Sequence, residues 1–437
     1  VNTIGVPGWT QLESMPTNVS GKYVKDGGAL TAATEGKTMA LFAFRGNKSK
    51  EFKKYTMGNP GIWTDMETIP FGFKYKPGPP PVVDSVKYNK KFPGKGAALC
   101  FDGDHTIYAT KGNGTFELWK YDLTDGHWYF ESWIPSTKGA KGGTSLFFKD
   151  GLLYVLLGGQ KIGNNNFFIY NPETKYWTTL PSAPTTPDNK PYKDGSCIVA
   201  LGDNIYVLKG GGKHNYFSAF DGTTWHEKET IPLNHPMMGN KKTKVKDGGA
   251  MTTDGSVIYA IKGGGSHEFW QYSSSEKGIW SAIETIPRLP PLQKKSVPKT
   301  GAALAYANGR VYLLKGNKTP EFWQYGPHKA LTTAEIKPPT NSAVMTENSI
   351  TNLNFNFSVN PNPFNKFTTI RYTVPVSGKV TIKLYNSTGR LIETLTDEYL
   401  TAGTYTTRLT AKSLASGIYF LKYEDAKNSS EVKLIVQ

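Results

Sequence analysis

"YAIKGGGSHEFWQY" occupies residues 259–272 and "YLLKGNKTPEFWQY" residues 312–325. A chain that repeats one sentence 53 residues on (312 − 259) is built from a repeated unit. The same element recurs as "FAFRGNKSKEFKKY" (42–55) and "YATKGNGTFELWKY" (108–121). Looser copies are "YVLLGGQKIGNNNFFIY" (154–170) and "YVLKGGGKHNYFSAF" (206–220), which brings the number to six.

Each copy has the same neighbours. A small-residue apolar strand precedes it: "KDGGALTA", "GKGAALCF", "KGGTSLFF", "KDGSCIVA", "KDGGAMTT" and "KTGAALAY". After five of the copies comes a Trp with a Pro seven residues on: Trp63/Pro70, Trp128/Pro135, Trp177/Pro184, Trp225/Pro232 and Trp280/Pro287. The sixth copy has no such partner behind it. The missing piece stands at the other end of the chain, where "WTQLESMP" supplies Trp9/Pro16. Each unit therefore reads as four strands, and units of four strands repeated radially make a β-propeller. The expected fold is all-β: a six-bladed propeller over residues 1–326, its last blade closed by the N-terminal strand. An open solenoid or a sandwich does not predict a split sixth unit. A closed ring also needs no capping repeat.

The pattern resembles the kelch and kelch-like propellers. The resemblance rests on the Gly pairs Gly158-Gly159, Gly210-Gly211 and Gly263-Gly264 and on the later Tyr and Trp. Several blades depart from it, with "KGN" or "RGN" where two glycines are usual. The family includes both enzymes and binding scaffolds, so the resemblance does not choose between them.

Beyond residue 326 the register changes. Residues 327–352 are rich in Pro, Thr and Asn without periodicity and read as a linker. Residues 353–437 alternate apolar and polar positions in short runs between turn residues. That pattern predicts an Ig-like antiparallel β-sandwich. "NPNPFN" (360–365), "LYNSTGR" (384–390), "AGTY" (402–405), "SGIYFLK" (416–422) and the final "VKLIV" make this stretch similar to the C-terminal sorting domain of type IX secretion cargo. The resemblance implies export across the outer membrane of a Gram-negative bacterium, to the cell surface or the medium. In that family the module is often cleaved after export. A module kept on the exported chain would be structural as well as an address, and one with no role beyond export is the alternative.

The chain begins at Val1 without a Met or an apolar leader, as expected if a signal peptide has been removed or if the numbering is that of a mature protein. No run of about eighteen apolar residues is present, so no transmembrane segment is expected. Two cysteines, Cys100 and Cys197, make neither a disulfide framework nor a zinc site; both lie in apolar strands and should be buried free thiols. The formal net charge is +16, a statement about partners rather than fold.

Second strands end in Arg45, Lys111, Lys209, Lys262 and Lys315, while blade three has Leu157. In four blades a Glu follows six residues later (Glu51, Glu117, Glu268, Glu321), so structural pairs across a hairpin are expected. Lys209 faces Asn215 instead, so if any member of this set binds a ligand it is expected to be Lys209. A second set starts the inner strands: Lys25, Lys141, Lys193, Lys246 and Lys299, with Lys95 one place out of register. Long basic loops (74–81, 87–95, 239–246, 288–295) reach the same face. The candidate ligand-binding residues are thus Lys25, Lys141, Lys193, Lys209, Lys246 and Lys299 on one basic face. Solvated loops without a specific partner are the plain alternative.

No catalytic set is visible, and no metal or cofactor is expected. The seven histidines lack ligand spacing, although His214 and His267 occupy equivalent loops. "SAFDGTTW" (218–225) comes near a sialidase-type box, but its Asp is one place late. Nucleic acid is not expected, because the aromatics sit at strand positions that blade packing explains. The expected role is a non-catalytic secreted or surface scaffold or binding protein, with self-assembly into an extracellular layer or filament as one form of it. The alternatives are a glycan-binding module and an enzyme acting on an acidic polysaccharide through the basic face.

Overall fold

The computed structural model describes residues 7–327 and 355–437, apart from 18–20, 59, 77–81, 163, 165, 186–187, 212–214, 239–240, 275–277, 290–294, 361, 366, 376–377, 401–402, 412–413 and 426–427. The chain divides into two compact units, 1–331 and 332–437. From residue 328 onward the expected linker lies outside the described residues.

The first unit holds six four-stranded antiparallel sheets. Their inner strands are Ala29–Glu35, Ala97–Phe101, Lys141–Lys149, Cys197–Leu201, Ala250–Thr253 and Ala303–Ala307. Each touches the next, and the last touches the first, so the ring is closed. In blade six the outermost strand is the N-terminal Pro7–Leu12, paired antiparallel with Phe322–Pro327 in the register Trp9 to Tyr325. The six-bladed propeller expected from the split repeat is the fold observed.

The repeated residues sit where blades meet. The Trp of an outer strand packs on the aromatic that opens the third strand of the preceding blade. Ring centroids lie 4.9 Å apart for Trp9/Phe269 and Trp128/Phe52, 5.0 Å for Trp63/Phe322 and Trp280/Phe217, and 5.1 Å for Trp225/Phe167. Such pairs add about 0.5–1.5 kcal/mol each beyond the area they bury. Trp177 meets blade two, which has Leu118 at that position. Five indoles also donate to the preceding outer strand: Trp63 to the Glu13 carbonyl, Trp128 to Glu67, Trp225 to Pro181, Trp280 to Glu229, and Trp177 to the Ser132 hydroxyl.

At the axis the segment that opens or precedes each inner strand carries a glycine at φ between +80° and +92°: Gly27, Gly96, Gly143, Gly195, Gly248 and Gly301. A Cβ on any of them would fall inside 3.0 Å of the next blade's backbone. The atom met is the carbonyl of Lys141, Lys193, Lys246, Lys299 or Lys25, or, for Gly27, the Pro93–Gly94 peptide. Both the torsion and the space demand glycine. A second left-handed position follows the second strand. It is Asn in blades one, two and six (Asn47, Asn113 and Asn317, φ +53° to +55°) and Gly in the others (Gly159, Gly211 and Gly264, φ +64° to +72°). Asn and Gly are the residues that tolerate this region, which accounts for the "KGN" departures from a Gly-Gly pair.

Between blades one and two, Gly72–Lys76 and Val82–Asn89 pair as an extra antiparallel hairpin. The sequence reading treated this segment as basic loops. The alternation in "FKYK" and "SVKY" on either side of "PGPPP" (77–81) was the available signal.

The second unit packs a three-stranded sheet and a four-stranded sheet around Ile370, Tyr372, Val380, Ile382, Leu384, Leu421, Tyr423 and Leu434. Its motif residues hold the last strand. Asn362 donates to the Lys433 carbonyl and accepts from the Ile435 amide, and Phe364 is buried beside them.

Ring closure sets a graded outcome for glycine variants. Gly222→Ala, where φ is +100° and nothing stands within 4 Å, should cost about 1–2 kcal/mol from backbone strain alone. Gly195→Ala should cost well over that, because the Lys246 carbonyl must also move. Urea unfolding monitored by tryptophan fluorescence reads the difference.

Candidate functional site

The basic residues that end the second strands are buried. Arg45, Lys111, Lys262 and Lys315 have no exposed surface, and Lys209 has 1 %. Each reaches back to the blade before it. Lys111 donates to the Pro70 carbonyl at 3.0 Å; Arg45, Lys262 and Lys315 donate to the carbonyls of Pro16, Pro232 and Pro287. The Pro of the Trp–Pro signature is thus the acceptor for the next blade's cation. Arg45 pairs with Glu51, Lys262 with Glu268 at 2.5 Å and Lys315 with Glu321 at 2.6 Å, as the six-residue spacing predicted. The fourth expected pair does not form: among the described residues the buried Glu117 carboxylate makes no hydrogen bond or ion pair, and Lys111 instead lies over the Trp119 ring at 4.5 Å.

Lys209 is a correction. It is not free for a ligand: its ammonium pairs with Asp188 at 2.6 Å and donates to the Thr185 carbonyl at 2.8 Å. The carboxylate comes from the loop that joins blades three and four, out of reach of a hairpin rule. The hairpin is also one residue longer than was counted. The Lys209 amide bonds the Tyr216 carbonyl, so Tyr216 holds the place that Glu51 and Glu321 hold elsewhere. Asn215 instead donates to the Ile231 and Thr243 carbonyls.

The other five candidate lysines stand on the face that carries the starts of the inner strands. Lys141, Lys193, Lys246 and Lys299 are exposed and Lys25 is partly exposed. Their backbone carbonyls cap the ring glycines, so the five occupy equivalent places around the axis. One residue further along each turn is an axial position, held in blade order by Asp26, Lys95, Gly142, Asp194, Asp247 and Thr300. Sequence reasoning missed this inner ring. Lys95, one place out of register with the outer lysines, stands in register with the aspartates. It spans blade three to meet Asp194 at 2.7 Å, and that hydrogen bond, with the charges of Asp194, Asp247 and Asp26, holds its pKa above the usual lysine value. Burial and the neighbouring Asp194 raise the Asp247 carboxyl. Thr300 donates to Asp26.

A cleft of about 620 Å³ opens beside this ring, lined by Lys91, Lys95, Asn113, Lys141, Lys193 and Asp194. Its side chains can neutralise and hydrogen-bond an anion.

Other candidates belong to the frame. Cys100 and Cys197 are buried and unpaired, and burial pushes the Cys100 thiol up to about 12. His235 is fully buried, and burial takes His267 down to about 4. His214 lies outside the described residues. Asp221, the near-box residue, accepts from the Thr223 and Thr224 amides at 2.8 Å and shapes a turn. Among the described residues no group of three or more His, Cys, Asp or Glu side chains is placed to hold a metal ion.

Residues 358–437 match the family model of the secretion system C-terminal sorting domain. The C-terminal domain is a sorting domain. It directs export to the cell surface or the extracellular space. No curated protein matches the chain. Among solved structures, YjhT is 12% identical with a TM-score of 0.47, over 70% of this chain and 92% of that one. A protein of unknown function from Bacteroides thetaiotaomicron gives 12% and 0.47, over 74% and 76%. PorZ, a surface component of the type-IX secretion system of Porphyromonas gingivalis, gives 14% and 0.39, over 93% and 59%. At these values the likenesses carry no argument, and the propeller rests on this chain's own strand pairing. No helix among the described residues is long and apolar enough to cross a membrane.

The buried cations set a pH dependence. Burial brings Lys111 down to about 8 from an ordinary 10.5. Below pH 8 both the folded and unfolded states hold its proton and it adds no slope. Between about pH 8 and 10 the unfolded chain binds more protons, so its contribution rises with pH. Above pH 10 unfolded tyrosines ionise first, because burial holds Tyr55 and Tyr121 up to about 12, and stability falls. The urea midpoint of Lys111→Met, compared with the parent across pH 7 to 10, should show a smaller rise.

Proposed function

We propose that this chain is a non-catalytic protein of the cell exterior that holds an acidic polymer on the mouth of its propeller. The observation that carries the proposal is the set of five lysines, Lys25, Lys141, Lys193, Lys246 and Lys299, at one repeat position around one axis. A ring of like charge over a low-dielectric rim concentrates counter-ions of opposite sign. The sorting domain supports the setting, since it takes the chain to where acidic polysaccharides are met. The motif carboxylates Glu51, Glu268 and Glu321 face buried cations between blades, which supports a scaffold rather than an active site. The enzyme alternative would place an acid and a base at the mouth; of the three axial carboxylates there, Asp26 and Asp194 are paired with Lys25 and Lys95.

Immobilised heparin tests this. The full chain should bind it, neutral dextran should give no signal, and affinity should fall at least tenfold between about 0.1 M and 1 M salt, as the screening length shrinks from about 10 to 3 Å. The quadruple variant Lys141→Glu, Lys193→Glu, Lys246→Glu, Lys299→Glu should lose binding. Retention of full affinity by that variant contradicts the proposal.

A second reading, association of copies, is favoured by the outward face of the C-terminal four-stranded sheet. Ile418 and Ile435 are paired across strands there with 43 % and 36 % of their surface exposed. Tyr385 lies between Leu391 and Phe420 on the same sheet. Light scattering on the full chain should give a larger particle than the Ile418→Lys variant; identical monomers from both would remove this reading.

A further inference from the structure

The charge at the mouth is uneven. On the side of blades two to four, Lys91, Lys95, Lys141 and Lys193 surround one cleft that contains a single carboxylate, Asp194. On the opposite side the turns that carry Lys25 and Lys246 also carry the carboxylates Asp26 and Asp247, and Lys25 already lies 3.5 Å from Asp26. The asymmetry has a local origin. The turn of blade two reads "PGKG" (93–96), so a lysine takes the axial place that aspartate holds in blades one, four and five. Blade three has Gly142 there. A Cβ at that residue would collide with the Asp194 carboxylate, so the missing side chain is what lets Asp194 lean across to Lys95. The hairpin Gly72–Lys76/Val82–Asn89 is followed by the segment that delivers Lys91 to the rim. Among the described residues Lys91, Lys141 and Lys193 form no ion pair, while Lys95 is held by Asp194.

We infer that this cleft is a subsite for one anionic group, a sulfate or a carboxylate, of an acidic polysaccharide, and that the incoming anion competes with Asp194 for Lys95. The inference rests on the proposal that the mouth holds an acidic polymer, and it names where and which. The walls contain only Lys, Asn, Asp and Gly. They offer no aromatic platform for a nucleic-acid base. They also offer no apolar wall for the side chains of a peptide. A chain dense in hydroxyl and anionic groups suits such a surface. The volume, about 620 Å³, falls within the roughly 300–1,000 Å³ of small-molecule sites and admits a short oligosaccharide segment.

The test uses the full chain with a sulfated heparin hexasaccharide, a hexagalacturonate, which carries carboxylates only, and hexaglutamate, all by titration calorimetry. Two double variants remove equal charge from exposed positions: Lys141→Ala/Lys193→Ala inside the cleft, and Lys246→Ala/Lys299→Ala outside it. The first should weaken sugar binding tenfold or more, and the second twofold or less. Asp194→Asn should tighten binding severalfold, because the carboxylate that competes for Lys95 is gone. The sugar that binds tighter identifies the anionic group. Unchanged thermal midpoints show that all variants are folded. Equal losses from the two double variants overturn the subsite and leave the diffuse basic face standing. Tighter binding of hexaglutamate than of either sugar overturns the polysaccharide assignment. No binding of any probe to the parent chain overturns both this inference and the proposal beneath it.

Discussion

Six turns meet around one axis, and no side chain fits between them. Each places a glycine at positive φ against the next blade's backbone, and the last, Gly301, closes on Lys25 of the first. Everything at the mouth inherits this contact. The carbonyl that caps the glycine belongs to the lysine that starts the next turn, so the spacing of the lysine ring is the spacing of the glycine ring. The residue between lysine and glycine is held at the axis for the same reason. A cation set in register with four others is here a by-product of close backbone packing.

Away from the axis the repeated residues also serve the seams. The Trp packs on the preceding blade, and in four blades the Pro seven residues later presents its carbonyl to the following blade's buried cation. The buried cation is paired with a carboxylate in blades one, four, five and six. Blade three breaks the scheme with Leu157, and its seam relies on apolar contact with Leu118, Phe168 and Trp177. Buried cations of this kind are hard to exchange singly, since removal of one partner leaves the other desolvated. The exposed lysines carry no such constraint, so the two lysine sets differ in kind although they look alike along the chain.

Much of this was legible in the residues. The repeat frame, the blade number and the closure by the N-terminal strand follow from counting Trp and Pro, because those residues mark seams at constant spacing. The ion pairs of Arg45, Lys262 and Lys315 follow from hairpin length. What stayed hidden depends on turns and on distant loops. Asp188 reaches Lys209 from 21 residues upstream, and a single extra residue in that hairpin put Tyr216 where Asn215 was expected. Lys95 was noted as one place out of register with the outer lysines, but the offset was not followed to a second ring. Alignment on the glycine, which the packing actually requires, places it on the axis and exposes the cleft. The C-terminal domain was legible in its short motifs, since Asn362, Phe364 and the last strand contact one another directly.

The most direct measurement is hydrogen–deuterium exchange on the full chain with and without a saturating sulfated oligosaccharide. The account predicts added protection in peptides that cover residues 91–96, 139–143 and 193–196, with the outer strands and the C-terminal domain unchanged. Protection confined to the outer strands or to the C-terminal sheet would place the binding surface elsewhere and contradict the claim that the glycine-spaced lysine mouth is the working face of the molecule.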